Sequence, residues 1–282
     1  MRWRDRRESD NIEDRRGFGG RGIAIGGGLG GLVVLVIALL LGADPQQLLE
    51  QLPQNNPGGS SAPTSRQTNP EEEELKKFVG VVLAETEDVW STVFQQMNRE
   101  YRKPILVLYR DQVNSACGQA GASVGPFYCP ADEKLYIDLS FFRELKSRFR
   151  APGDFAIAYV VAHEVGHHVQ NLLGTMGRVS NAQRQSSQVA GNALSVRLEL
   201  QADCYAGVWA RQAERRGIVE PGDIDEALGA ASAVGDDRLQ REGQGYIVPD
   251  SFTHGSSQER VGWFRRGFET GDIVQCDTFR SQ

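Results

Sequence analysis

Residues 160–174 read VVAHEVGHHVQNLLG and place three of the chain's four histidines on one apolar run. In a helix, residues four apart differ by about 40° around the axis, so His163 and His167 project from one face and can hold one ion between them. Ionisable side chains in such a segment cost stability unless something pairs them, so the fold must bring a cation or a counter-charge to this helix. Glu164 follows the first histidine. From there its carboxylate can reach a metal-bound water without binding the metal and can take that water's proton as a general base. His168, five residues from His163, points well away and is not the natural ligand.

A hydrolytic zinc site wants three protein ligands and one open position. The segment RLELQADCYAGVWA offers Glu199 and Asp203 at i and i+4, on one face of an otherwise apolar stretch. Glu199 is the expected third ligand. Asp203, one turn on, is placed to accept the free ring N–H of a ligand histidine and fix its tautomer. Two imidazoles, a carboxylate and an open position suit one Zn2+ per chain. The alternatives are a polar helix face for the histidines and a solvated acidic pair for Glu199 and Asp203.

The rest of the chain sets the frame. Its 282 residues, 40% hydrophobic, can support a real core, and the net charge of −6 argues against a nucleic-acid binder. Residues 22–43, GIAIGGGLGGLVVLVIALLLGA, are uncharged and match the roughly 20 residues of a membrane-spanning helix. Arg15, Arg16 and Arg21 precede them, and no Lys or Arg follows until Arg66. The positive-inside rule then predicts a single-pass membrane protein: a cytoplasmic Arg-rich tail over 1–21, an uncleaved anchor over 22–43, and the remainder periplasmic or extracellular. Residues 44–69, rich in Pro, Gln, Asn, Ser and Gly, read as a disordered tether. Asn69, Pro70 and four glutamates form a helix-start signal, so the folded domain is expected over 70–282.

Within it, KPILVLY and EKLYIDLSFF read as strands. The pattern then turns helical, with helices predicted over about 155–173, 183–216 and 224–239, and a last one opening at Ser256 with Glu259 in a capping-box arrangement. Early strands followed by dominant helices predict a mainly helical α+β domain with a small antiparallel or mixed sheet. Strand KLYIDL is a conceivable edge for an extended peptide. Cys117, Cys129, Cys204 and Cys276 allow three pairings. The preferred set is Cys117 with Cys129, closing a short loop, and Cys204 with Cys276, with a buried free thiol at Cys204 as the alternative.

Taken together, HEVGHH, then ELQAD about thirty residues on, then THGSSQERVGWF, resemble the bacterial family of putative neutral zinc metallopeptidases of the YpfJ type. They resemble more distantly the HExxH peptidases whose third ligand is the Glu of an ExxxD helix. The resemblance covers nearly the whole chain. It implies a zincin-like, membrane-attached peptidase domain with His163, His167 and Glu199 as zinc ligands, Glu164 as catalytic base and Asp203 behind a ligand. Where distant relatives often read His-Pro, this chain has His254-Gly255.

The chemistry also needs a hydrogen-bond donor for the developing oxyanion. His254, the only histidine outside the metal helix, is the candidate, with a plain surface-loop histidine as the alternative. Tyr205 and Tyr246 are weaker candidates. Arg260 is expected either to orient the His254 loop by pairing with an acid or to form an exposed salt bridge. Two functions follow from the sequence: a zinc peptidase acting on extracytoplasmic polypeptides, or a zinc-stabilised, membrane-tethered binding or scaffold protein.

Overall fold

The computed structural model describes residues 1–17, 69–121 and 124–280. A short strand, β1 (Ile12–Asp14), precedes helix α1 (Pro70–Gln96). Helix α1 starts where the sequence places it: Asn69 accepts the Glu71 N–H, Pro70 occupies the first turn, and Glu71–Glu73 face the positive end of the dipole. Strands β2 (Ile105–Tyr109), β3 (Gln112–Ser115), β4 (Gly118–Gly121), β5 (Phe127–Cys129) and β6 (Lys134–Asp138) follow.

Two sheets form from these strands. A mixed sheet runs β1-β2-β6-β5, parallel except for the β5–β6 pair, and β3–β4 is a separate antiparallel hairpin. Alternation along the strands decides which layer each residue joins. Leu106, Leu108, Leu135 and Ile137 enter the main core, whereas Val107, Tyr109 and Tyr136 pack with Val113 and Ala120 of the hairpin. Strand β6 is interior, so KLYIDL presents no edge; β5 does.

The helical part comprises α2 (Ser140–Ser147), α3 (Asp154–Leu172), α4 (Thr175–Gln183), α5 (Gln188–Arg215), α6 (Asp223–Ala233), α7 (Asp236–Gln244) and α8 (Ser257–Thr270). Helix α3 is buried on almost every face, packed against α1, α5 and α6. The helix predicted over about 183–216 is α5, which starts five residues later because Ser187 caps it, accepting the Ala190 N–H; α4 before it was not predicted, and the helix predicted over 224–239 is broken in two. Gly235 separates α6 from α7 where the chain presses against Ser257, leaving no room for a side chain. The capping box of Ser256 and Glu259 is present at α8. Both preferred disulfides are formed, Cys117–Cys129 and Cys204–Cys276, and no free cysteine is found among the described residues.

Helices α5 and α8 cross glycine to glycine. A Cβ on Gly207 would collide with the Phe264 carbonyl, and one on Gly267 with the Cys204 carbonyl. Only hydrogen at both positions lets the backbones touch. Gly166 of α3 plays the same part toward α5, where a Cβ would stand 3.0 Å from the Ala202 carbonyl oxygen.

The membrane-spanning expectation is corrected here. The stretch 22–43 lies outside the described residues, as does the tether apart from Asn69, and among the described residues no helix is long and apolar enough to cross a membrane. Of the arginines that motivated the anchor, Arg15 and Arg16 have partners inside the protein, Glu13 for the first and Asp14 and Glu73 for the second, and Arg21 lies outside the described residues. Residues 1–17 form one compact unit with 69–280: Ile12↔Leu106 opens the β1–β2 ladder, Trp3 stacks edge-on against Phe78, and Arg6 and Arg16 pair with Glu85 and Glu73 at 2.7 Å each. Segments packed together in this way cannot lie on opposite faces of a bilayer, so the single-pass arrangement with a cytoplasmic tail and an external domain is set aside. The fold is a mainly helical α+β unit with small sheets.

Candidate metal centre

Helix α3 turns one face toward α5 at Gly166, and there His163 and His167 meet Glu199. Glu199 Oε2 lies 3.1 Å from His163 Nε2, and its Oε1 lies 3.3 Å from His167 Nε2. Ligand atoms of the three residues fall within 4.8 Å of one another, a set able to hold a metal ion. Both histidines are buried, at 7% and 8% exposure.

The outer ring nitrogens are fixed by neighbours. His163 donates its Nδ1–H to Asp203 Oδ1 at 2.8 Å. Asp203 also accepts the Tyr159 hydroxyl at 2.5 Å, and the Arg260 guanidinium through Nε at 2.8 Å and Nη2 at 3.0 Å. On the other side, Gln170 Nε2 donates to the Leu198 carbonyl at 2.6 Å, so its Oε1 faces His167 and accepts that ring's Nδ1–H at 2.9 Å. With each Nδ1–H committed outward, Nε2 is the nitrogen that faces Glu199 and the one left to ligate a metal once its proton is lost.

The charge balance asks for a cation. Glu164, Glu199 and Asp203 bring three carboxylates to the centre, and among the described residues Arg260 is the one fixed cation there, bonded to Asp203. Burial lowers the His163 pKa, but the Asp203 and Glu199 carboxylates outweigh it and hold it up at about 10. His167 is likewise raised, burial being overcome by Glu199. Burial pushes Glu199 up, yet the charges of His167 and His163 hold its carboxyl well below the usual range. Glu164 is raised, chiefly by burial. The centre thus draws positive charge onto the imidazoles, and a divalent ion, releasing protons as it binds, meets the same demand. Two nitrogens and a carboxylate oxygen fit zinc, which the residues present can hold.

Glu164, at 7% exposure, lines the same cavity of about 380 Å³ as the three candidate ligands, His254 and Arg260. His254 enters from the loop before α8, its side chain 53% exposed. Asp236 holds that loop: its Oδ2 accepts the backbone N–H groups of Thr253, His254 and Gly255 at 2.7, 2.6 and 3.0 Å. The His254 Nδ1 lies 3.0 Å from the Thr253 hydroxyl and 3.3 Å from Asp236 Oδ1, and Asp236 raises its pKa against the opposing effect of burial. A larger groove of about 730 Å³ borders α5 and α8 but shares none of the metal-ligating residues.

Other expectations divide. His168 does point away: it donates Nε2–H to the Arg102 carbonyl at 2.6 Å and accepts the Tyr128 hydroxyl at Nδ1, 3.1 Å away, bolting α3 to β5. Arg260 is no surface ion pair, being 4% exposed against Asp203. Tyr205 packs edge-on against Trp90, and Tyr246 is 62% exposed; neither borders the cavity. Sequence reasoning missed Tyr159, Gln170 and Asp236. Tyr159 had a signal, since it lies one turn before His163 on the same face. Asp236 had none, because eighteen residues separate it from the histidine it serves.

Comparisons with known proteins agree with this centre. The model of a family described as putative neutral zinc metallopeptidase matches residues 1–279. The chain is 49% identical over 288 residues to the uncharacterized protein YpfJ of Escherichia coli K12, with 99% of each chain covered. It is 45% identical over 260 residues to an uncharacterized Mycobacterium tuberculosis protein, Rv2575, with 86% of this chain and 85% of the relative covered. No solved structure matches the chain at a significant level.

Proposed function

The chain belongs to the family described as putative neutral zinc metallopeptidase, and from that premise we propose that it hydrolyses peptide bonds of polypeptides with one zinc ion held by His163, His167 and Glu199. The observation that carries this is the convergence of those three residues with Glu164 beside them, buried yet outside the ligand set. A structural site would need no such carboxylate.

When bound, zinc supplies Lewis acidity, polarising the scissile carbonyl and making a water acidic enough to lose its proton near neutral pH. The residues do the rest. Asp203 and Gln170 keep both imidazoles in the ligating tautomer, and Arg260 neutralises Asp203 so that its charge can remain buried. Glu164 accepts the proton of the attacking water and passes it to the departing amine; burial, which raises its carboxyl pKa, suits it to hold a proton between those two steps. His254, steadied by Asp236 through its backbone, donates a hydrogen bond to the carbonyl oxygen as negative charge develops there.

The Glu164→Gln variant tests this. Because Glu164 is not a ligand, the variant should retain one zinc per chain and lose cleavage of an unstructured protein such as casein, by a factor of at least 10². Casein cleavage equal to wild type would remove Glu164 from the chemistry. A wild type that holds zinc and cuts no polypeptide would favour a structural metal in a binding protein.

A further inference from the structure

The cavity around the metal centre is chemically lopsided. Apart from the three candidate ligands, Glu164, His254, Arg260 and two tyrosines, its lining is apolar and includes Val124, Phe127, Phe141, Val160, Met176 and Leu198. Glu164 and His254 are the groups that the proposed reaction uses, and the remaining polar groups outside the ligand set are already engaged. Arg260 donates to Asp203 through Nε and Nη2, to Tyr159 through Nη2 and to the Val234 carbonyl through Nη1. The Tyr159 hydroxyl is spent on Asp203. The Tyr128 hydroxyl donates to His168 and accepts from Asn171 Nδ2 at 3.0 Å. Away from Glu164 and His254, a charged substrate side chain entering here meets no free partner of opposite sign, and an unpaired charge in such a wall is strongly disfavoured.

The wall is also held in place. His168 has one nitrogen committed to the Arg102 carbonyl, so its other nitrogen can only accept, and the Tyr128 hydroxyl fills that demand. With Asn171 also on Tyr128, two residues of α3 grip edge strand β5, and Phe127 is backed by stacking on Tyr136 with ring centroids 4.8 Å apart. A surface fastened at this many points selects by shape as well as polarity.

We propose that this cavity takes bulky, uncharged apolar side chains flanking the scissile bond, so that the substrates are polypeptide segments exposing residues such as Leu, Phe or Met that a folded protein would bury. This rests on the peptidase reading above, but the preference itself is a property of the wall and can be measured without turnover.

The test uses three unstructured peptides identical except for a central pair: Leu-Leu, Asp-Asp or Lys-Lys. Binding is followed by fluorescence anisotropy on the zinc-loaded full chain carrying Glu164→Gln, and kcat/KM is measured on wild type. The Leu-Leu peptide should bind and be cut at least tenfold better than either charged peptide. Equal binding of all three, or preference for a charged pair, would overturn the proposal. Selective binding of Leu-Leu with no cleavage of any peptide by wild type would instead defeat the peptidase reading and leave the pocket preference standing. A second variant, Val124→Asp, alters a side chain 57% exposed at the rim and so leaves the fold intact. It should narrow the gap between Leu-Leu and Lys-Lys at least tenfold; an unchanged gap would place the recognised side chain elsewhere and sink the assignment.

Discussion

The Asp203 carboxylate accepts the Nδ1–H of His163 at 2.8 Å while the Arg260 guanidinium, 4% exposed, grips it from behind. One buried acid thus links a candidate metal ligand on α3, the ExxxD segment of α5 and the Arg260 guanidinium, which α8 supplies. Its charge, not merely its shape, is what the arrangement uses.

Replacing that charge should be costly. In Asp203→Asn the amide oxygen can still accept the His163 proton, but Arg260 is left as a buried cation without a counter-charge. Breaking such a pair costs about 3–5 kcal/mol, and loss of a partner behind a metal ligand weakens metal affinity by about 10–100-fold. Urea unfolding and a zinc-competition titration should show both effects. Wild-type zinc affinity in a folded Asp203→Asn protein would remove Asp203 from the metal site.

The crossing of α5 and α8 has no slack. Gly267→Ala must push the two backbones apart at Cys204, one residue from Asp203, and thereby draw Arg260 outward. Overpacking of this kind costs about 1–3 kcal/mol, and here backbone rather than a flexible side chain has to move. A lowered urea midpoint together with weakened zinc binding is expected. Gly262→Ala on the same helix, where a Cβ meets nothing within 4 Å, is the control and should unfold like wild type.

The start of the chain belongs to the fold. A fragment beginning at residue 69 loses β1 and the arginines, Arg16, Arg6 and Arg7, that pair with Glu72 and Glu73, Glu85, and Glu87 on α1. It should melt at lower temperature than the full chain and expose apolar surface around Phe78 and Leu106. Adding residues 1–17 as a separate peptide should recover part of the loss. Equal melting temperatures would contradict the packing of Trp3 and Ile12.

Acid should loosen the same strap. Arg16 holds the Asp14 carboxyl well below the usual aspartate range, with burial opposing and Lys76 assisting. Because the folded-state pKa is the lower one, Asp14 contributes stability that is complete above its unfolded value of about 3.9 and is lost as pH falls below it. The stability gap between wild type and Asp14→Asn should therefore be widest above about pH 5 and close toward about pH 2. A gap independent of pH would mean that the Asp14 charge does not matter.

The chemistry was far more legible in the sequence than the topology around it. His163 with His167, and Glu199 with Asp203, announce themselves because helical spacing brings each pair to a common face, Glu164 by its place beside the first histidine, and Ser256 with Glu259 caps α8 by local bonds. Asp236 and Gln170 act across loops or through the turn of a single amide, which no periodicity encodes. The arginines of the first seventeen residues were misread for a physical reason: a run of positive charge beside an apolar stretch looks the same whether its partners are lipid headgroups or glutamates of α1. Glu72, Glu73, Glu85 and Glu87 were in view in the sequence, but nothing local told which arginines they would meet.

The most direct measurement of the central claim is a crystal structure of the zinc-loaded full chain with anomalous data at the zinc edge. The expected result is one zinc bound by His163 Nε2, His167 Nε2 and a Glu199 oxygen, with a solvent oxygen completing the coordination beside Glu164. A zinc whose fourth corner is filled by another protein side chain, or a Glu199 carboxylate turned away from the ion, would contradict it.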